Sequence, residues 1–325
     1  MRSRREVIET LDAEGHSERP FPLAGDLIAD RYRLERRIGV GGMGQVWRAL
    51  HTGLGREVAI KFVDAHVPEL RERLLREARI LASLRHPAVV EVFDCGEAGS
   101  LGPYIAMELF EGESLAQRLD FGPIEVAAAL RLFLPLLDGL ACAHRSGIIH
   151  RDIKPANVLV RGEVGKLIDF GIATVMRAGQ ARLTLAGGII GTPAYMAPEQ
   201  IRSEPVDARA DVWGVAVTLV ETISGRPLFD GPDPVAVMAN ILKHPARRPL
   251  GVVGLDDDLW QIFERALGHS LADRVRSVEE LRTSLERWLL TRGRTDAAYG
   301  AAPVSAGRSS EGSLDSMIRK KLWDS

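Results

Sequence analysis

HRDIKPANVL, His150 to Leu159, is the stretch on which the fold turns. Five of its positions, His150, Arg151, Asp152, Lys154 and Asn157, stand in the pattern HRDxKxxN. From average residue frequencies, the chance of that arrangement anywhere in a chain this long is on the order of 10⁻⁴. Asp152 and Asn157 lie five apart on a loop, so a carboxylate and a carboxamide can face one cleft, with the Lys154 ammonium between them in sequence.

Downstream, DFG (Asp169 to Gly171) follows the strand-like KLI and begins twelve residues beyond Asn157. Upstream, GVGGMGQV (Gly39 to Val46) places Gly39, Gly41 and Gly44 as GxGxxG between two strands. Alone, this is a weak signal. A dinucleotide-binding turn shares it, and so does a plain tight hairpin. The strand that follows, where a helix would be needed, argues against the dinucleotide reading. VAIK then ends at Lys61, a lysine among apolar strand residues that calls for a partner. Glu77, on the next helix, is the natural one. Lysine is scarce here, six in 325 residues, so a surface cation in this chain is usually arginine.

Together these residues fit phosphoryl transfer. Asp152 would orient the attacking hydroxyl and accept its proton, and Lys154 would meet charge developing at a γ-phosphate. Lys61, paired with Glu77, would hold the α- and β-phosphates. Asn157 and Asp169 would bind Mg²⁺. In GTPAYMAPEQ (Gly191 to Gln200), Glu199 reads as a buried carboxylate held by an arginine, with Arg274 as candidate.

The surrounding pattern is that of an α+β protein. RYRLERRIG, QVWRAL, REVAIKFV, HPAVVEVFDCGE and PYIAMELF read as strands. LRERLLREARILASL repeats apolar residues at helical spacing. After Gly112 the pattern turns helical: VAAALRLFLPLLDGLACAHRSG, ARADVWGVAVTLVETISG, DPVAVMANILKH, LDDDLWQIFERAL and SVEELRTSLERWLL, with short strands near Val158 to Leu167. Hydrophobic residues make up 46% and charged residues 26%, ordinary for a soluble globular chain. A net charge of −2 gives no reason to expect a nucleic-acid or anionic-membrane partner. No apolar run reads as approaching the roughly 20 residues of a membrane span. Cys95 and Cys142 read as small core residues of a reducing compartment. The expected organisation is an N-terminal arm over 1–25, one domain over 26–291 divided near 111/112, and a C-terminal tail over 292–325.

With these motifs in this order, the chain resembles the eukaryotic-like (Hanks-type) serine/threonine protein kinases, their bacterial branch above all. The resemblance runs from about Tyr32 to Leu290. It implies a bilobal protein kinase fold: a β-rich N-lobe with one regulatory helix, a mainly α-helical C-lobe, and ATP in the cleft between them. It implies a glycine-rich loop of Ile38, Gly39, Val40, Gly41, Gly42, Met43 and Gly44 over the phosphates. Met107 would be the gatekeeper, Glu108 and Phe110 would offer backbone groups to adenine, and Val46, Ala59 and Leu159 would sandwich the base. Leu81, Val92, His150 and Phe170 would stack to align the lobes, and Asp211 would anchor the catalytic-loop backbone. Lys154, two residues after Asp152, and Thr192, bonded to Asp152 and Lys154, would select serine or threonine. Gly214, Ser270 and Leu271 depart from the family pattern, away from the transfer chemistry.

By the same resemblance, Arg151 would read a phosphorylated activation loop running from about Ile172 to Ile190, with Thr184 as the autophosphorylated residue. The expected cofactors are ATP and Mg²⁺, with Mn²⁺ as alternative. The expected partners are protein substrates and a transient homodimer for trans-autophosphorylation, without nucleic acid or a membrane span, in the cytoplasm.

Overall fold

The computed structural model describes residues 10–11, 17–18, 21–41, 44–63, 68–170 and 193–299. Gly42, Met43, Gly171, Thr184, Gly191 and Thr192 lie outside these, as do most of the N-terminal arm and C-terminal tail. By its internal contacts the chain divides into Met1–Leu289 and Leu290–Ser325.

Two short strands, β1 (Thr10–Leu11) and β2 (Ser17–Glu18), pair with each other. β3 (Leu27–Ile28), β4 (Tyr32–Gly41), β5 (Gly44–His51), β6 (Arg56–Val63), β7 (Val92–Glu97) and β8 (Pro103–Glu108) form one antiparallel sheet in the order β3-β4-β5-β6-β8-β7. β6 is central in that order, and every residue from Val58 to Val63 is buried. A strand covered on both faces reads as a near-continuous apolar run, interrupted here only by Lys61, which is why VAIKFV does not alternate. β4 alternates only up to Leu34, because its register with β5 shifts after Leu34 and again after Arg37.

Helix α1 (Pro68–Leu81) buries Leu74, Ala78 and Leu81 along one face, at the spacing of successive helical turns. At about 1.5–3 kcal/mol for each fully buried leucine, this stripe outweighs the helix's polar surroundings. The sheet and α1 make the smaller lobe.

The larger lobe begins with β9 (Glu113–Ser114), α2 (Leu115–Leu119) and α3 (Val126–Arg145). β10 (Val158–Arg161) and β11 (Val164–Leu167) pair antiparallel directly after the decisive loop. Helices α4 (Pro198–Ile201), α5 (Arg209–Ser224), α6 (Pro234–Lys243), α7 (Asp257–Ala266) and α8 (Val278–Tyr299) follow. α5 is buried on nearly every side, as an all-round apolar helix must be, and ends at Gly225 in the left-handed conformation.

One outcome differs from the sequence reading, and one family departure acquires a packing reason. α3 is long and apolar enough, by length and composition, to cross a membrane, contrary to the expectation that no segment comes close. Its apolarity is that of a core helix, with 61% of its most apolar window buried in the fold. Gly214, one of the family departures, has a packing reason. A Cβ there would stand 3.0 Å from the Ile153 Cβ, so glycine lets α5 approach the catalytic loop.

Candidate active site

The loop between α3 and β10 is held from below by Asp211, in the first turn of α5 and fully buried. Its Oδ2 accepts the His150 N–H at 2.8 Å and its Oδ1 the Arg151 N–H at 2.7 Å. His144 Nε2 lies 2.7 Å from the same Oδ2. A buried carboxylate is tolerable with this many donors and a helix N-terminus behind it. Arg151 sits at φ 65°, a left-handed conformation that a non-glycine residue keeps only where its surroundings over-determine it.

Asp152 is 8% exposed. Lys154 Nζ donates to its Oδ2 at 2.8 Å, and Asn157 Nδ2 donates to the same oxygen at 2.9 Å and to the Asp152 carbonyl at 2.7 Å. The loop therefore presents the aspartate, the ammonium and the amide together, as their spacing suggested. Asn157 Nδ2 is committed twice, which fixes the amide and turns Oδ1 away as an oxygen donor. The Asn157 backbone carbonyl accepts the Ile168 N–H at 3.1 Å, so the backbone that carries this amide is tied to the residue before Asp169. The Asp169 carboxylate and the Asn157 side-chain Oδ1 are hard oxygens of the kind Mg²⁺ takes alongside phosphates.

Lys61 corrects an expectation. It is 5% exposed on β6, and its Nζ lies 2.6 Å from Asp169 Oδ1; Glu77 is not its partner. Glu77 is bridged instead by Arg73, one turn earlier on α1, at 3.5 Å. Burial pushes the Glu77 carboxyl above its ordinary pKa, against the pull of Arg73, Arg151 and Arg76. Glu77 lines a cavity of about 380 Å³ together with Arg73, Arg76, Ile80, Arg151 and Phe170. The Arg151 Nε in this region is buried and has no hydrogen-bond partner among the described residues. The physical reason for the exchange is local. Lys61 has one charge to give, Asp169 lies within direct reach, and Glu77 has arginines on its own side of the helix.

The adenine-side residues are laid out by strand register. Gly39 stands opposite Val46, Val46 opposite Lys61, and Ala59 opposite Met107. The Glu108 N–H donates to the Glu91 carbonyl at 2.8 Å, so that backbone donor is already used. Ile38 and Val40 are exposed along β4, and Leu159 lies on β10 opposite Lys166. Of the residues expected to stack, Leu81, Val92 and Phe170 meet around one small cavity that Met107 also lines. The rings of His150 and Phe170 are 4.4 Å apart. The expected Glu199–Arg274 pair is present, buried and bidentate, at 2.7 and 2.9 Å.

Three contacts had no counterpart in the sequence reading. Lys166 Nζ, on β11, donates to both Glu108 carboxylate oxygens at 2.7 Å and lies 5.8 Å from the Phe110 ring centroid. His144 joins the Asp211 cluster. Gln200 Nε2 donates to the Arg151 carbonyl at 2.8 Å. The scarcity of lysine that singled out Lys61 applied equally to Lys166. His144 and Gln200 bond to groups about fifty to seventy residues away, and spacing carries no sign of that.

Comparison with known proteins agrees with this geometry. The profile of the protein kinase domain family matches residues 32–285. The chain is 34% identical over 317 residues to the probable serine/threonine-protein kinase PknB of Corynebacterium glutamicum, covering 85% of this chain and 48% of the relative. It is 36% identical over 270 residues to the serine/threonine-protein kinase PknB of Mycobacterium tuberculosis, covering 80% and 43% respectively. The chain thus spans less than half the length of these curated relatives. Among solved structures, that of Rad53 residues 1–466 with AMP-PNP superposes with a TM-score of 0.67 at 22% identity, covering 80% of this chain and 65% of that one.

Proposed function

Since the chain belongs to the protein kinase domain family, we propose that it transfers the γ-phosphate of ATP to serine and threonine hydroxyls of proteins, with Asp152 accepting the proton of the attacking hydroxyl. The observation that carries this reading is the Asp152 carboxylate, buried and held by Lys154 Nζ and Asn157 Nδ2 at 2.8 and 2.9 Å. A base in phosphoryl transfer has little covalent work to do. It must point at one oxygen, and a carboxylate fixed by two donors does so. Lys154 then faces the charge that develops as the phosphoryl group moves.

The remaining residues hold the nucleotide. Lys61 exchanges Asp169 for the α- and β-phosphates. Asp169 and the Asn157 Oδ1 supply oxygens for Mg²⁺ or Mn²⁺, which when bound neutralises phosphate charge. Met107, Glu108 and Phe110 line the adenine side, with Val46, Ala59 and Leu159 about the base. The serine/threonine preference is supported by Lys154, two residues beyond Asp152, and by relatives at 34% and 36% identity that are named serine/threonine-protein kinases.

Regulation by Thr184 belongs to the same proposal. It is supported by the cavity that gathers Arg73, Arg76 and Arg151, whose Nε has no partner among the described residues. A phosphothreonine offers the doubly charged oxygens such arginines bind. Autophosphorylation would pass through a transient pair of copies in the cytoplasm, where ATP is held. Phosphosite mapping and the activity of Thr184→Ala test this part.

The central test incubates the purified chain with Mg²⁺, labelled ATP and a generic basic protein, beside Asp152→Asn. Label on serine and threonine with the wild type alone supports the proposal. Tight ATP binding with no transfer by either protein overturns it in favour of a nucleotide-binding scaffold.

A further inference from the structure

Gln200 stands next to Glu199 in α4, away from any phosphate-holding residue in sequence, yet its amide reaches the catalytic loop. Its Oε1 accepts the Ala197 N–H at 2.9 Å, and its Nε2 donates to the Arg151 carbonyl at 2.8 Å. The partners settle which end of the amide is which. A backbone N–H only donates and a carbonyl only accepts, so a reversed amide would break both contacts.

The Arg151 carbonyl shares a peptide plane with the Asp152 N–H. That N–H faces His150 Nδ1 at 3.3 Å, so Gln200 and His150 hold the two ends of the plane that leads into Asp152. The plane before it is held by Asp211, which takes the Arg151 N–H at 2.7 Å. Arg151, between the two planes, keeps φ at 65°. Such a residue relaxes when one of its restraints is lost. Asp211 is one restraint and Gln200 is another.

The restraint from Gln200 has a rigid base. Glu199, its neighbour, is locked to Arg274, and Arg274 Nη1 also donates to the Arg209 carbonyl at 3.1 Å, at the start of the helix that carries Asp211. Both supports of Arg151 therefore rise from one buried frame. We infer that Gln200 is a positioning residue for phosphoryl transfer: it sets the peptide that aims the Asp152 carboxylate and couples it to the segment entering α4.

The inference rests on Asp152 acting as base. Gln200→Glu tests it, because it keeps the length and the acceptor for Ala197 but removes the donor and sets a carboxylate oxygen against the Arg151 carbonyl. The expected result is a kcat lower by roughly 10- to 100-fold, with KM for ATP and the thermal midpoint near those of wild type. The deficit relative to wild type should shrink as pH falls, because protonating the introduced carboxyl restores an O–H donor. If that variant does not fold, Gln200→Met, similar in length with neither charge nor donor, carries the same expectation for kcat and KM. A wild-type kcat in the folded variant overturns the inference and leaves the kinase reading intact. So does a loss of stability with kcat unchanged. A wild-type chain that transfers no label overturns the kinase reading, and the inference with it.

Discussion

Arg274→Met should be among the most destabilising single substitutions in the larger lobe. The Arg274 and Glu199 side chains are 0% and 3% exposed. Arg274 makes two contacts to Glu199, at 2.7 and 2.9 Å, and donates to the Gly268 and Arg209 carbonyls at 2.8 and 3.1 Å. Removing one partner of a buried ion pair costs about 3–5 kcal/mol, because the other charge stays behind without compensation. Each buried carbonyl left without a donor adds about 1–3 kcal/mol. Against a total stability of about 5–15 kcal/mol, the variant should sit near the edge of folding. Glu199→Leu alone strands the guanidinium, but that group keeps both carbonyls, so its cost should fall at the lower end of the same range. The double variant strands no charge. Its cost should fall short of the sum of the singles by at least about 2 kcal/mol, the scale of coupling between residues in one network. Urea unfolding followed by tryptophan fluorescence reads this directly, since the Trp213 ring centroid lies 5.2 Å from the guanidinium carbon. Two results would refute the reasoning: a cost for Arg274→Met below about 1 kcal/mol, or singles that add to the double within about 0.5 kcal/mol.

Other substitutions separate backbone needs from charge. Gly44 has φ 129°, and a Cβ there would lie 1.9 Å from the Phe62 carbonyl oxygen, so Gly44→Ala should cost roughly 1–3 kcal/mol or more and weaken ATP binding. Gly39→Ala, whose Cβ would meet only Val46 at 3.7 Å, should leave the melting temperature nearly unchanged. Arg73→Ala removes a half-exposed i,i+4 bridge worth about 0.3–0.5 kcal/mol and should raise basal activity about twofold at most; a tenfold rise would contradict this estimate. Lys166→Met should raise KM for ATP about threefold, the equivalent of roughly 0.5–1 kcal/mol of lost positioning at Glu108, in steady-state assays at varied ATP. In alkali, burial and Asp94 hold the Tyr32 phenol up at about 12 from an ordinary 10.0, and Tyr104 is raised by the same causes. A raised phenol contributes stability that is full below pH 10 and lost as pH climbs through about 12. Phenolate absorbance from these residues should therefore appear together with unfolding by circular dichroism.

The fold was legible because its elements obey short periods. α1 shows its buried stripe in Leu74, Ala78 and Leu81, and β6 shows its central place in an apolar run broken only by Lys61. Asp152, Lys154 and Asn157 were legible for a related reason, since they share one loop and spacing along it nearly fixes their distances. Pairings across elements were not. Residue types say that Lys61 needs a carboxylate, but not which of Glu77 and Asp169 it meets. That depends on the rotation of α1 and on arginines at Arg73 and Arg151 competing for Glu77. Gln200 ends the GTPAYMAPEQ string, yet its partner is a backbone carbonyl forty-nine positions earlier, which no side-chain pattern reports. The length of α3 was read, but Arg131 and Asp138 break the contiguous apolar run, and so hid that the whole helix is apolar enough to pass for a membrane span.

The exchange of partners around Lys61 locates what must change for the proposed reaction. Two contacts hold the observed arrangement, and they differ in strength. The Arg73–Glu77 bridge is exposed by 47% and 25% at its two side chains and spans 3.5 Å, so water and salt weaken it to a few tenths of a kcal/mol. The Lys61–Asp169 contact is 2.6 Å long, with a lysine side chain only 6% exposed. Breaking it with nothing in exchange would strand a buried ammonium, which costs several kcal/mol. Phosphates offer Lys61 a replacement anion, and a divalent cation offers Asp169 a replacement positive charge, so nucleotide and metal together can dissolve the pair without stranding either group. In that exchange Glu77 would move the other way. Burial already raises its pKa where it stands, so a buried cation would be a better partner than a solvated arginine once Lys61 has turned from Asp169. Under the proposed reaction the rearrangement would thus be driven from the phosphate end of the cleft, with the surface of α1 only adjusting its threshold.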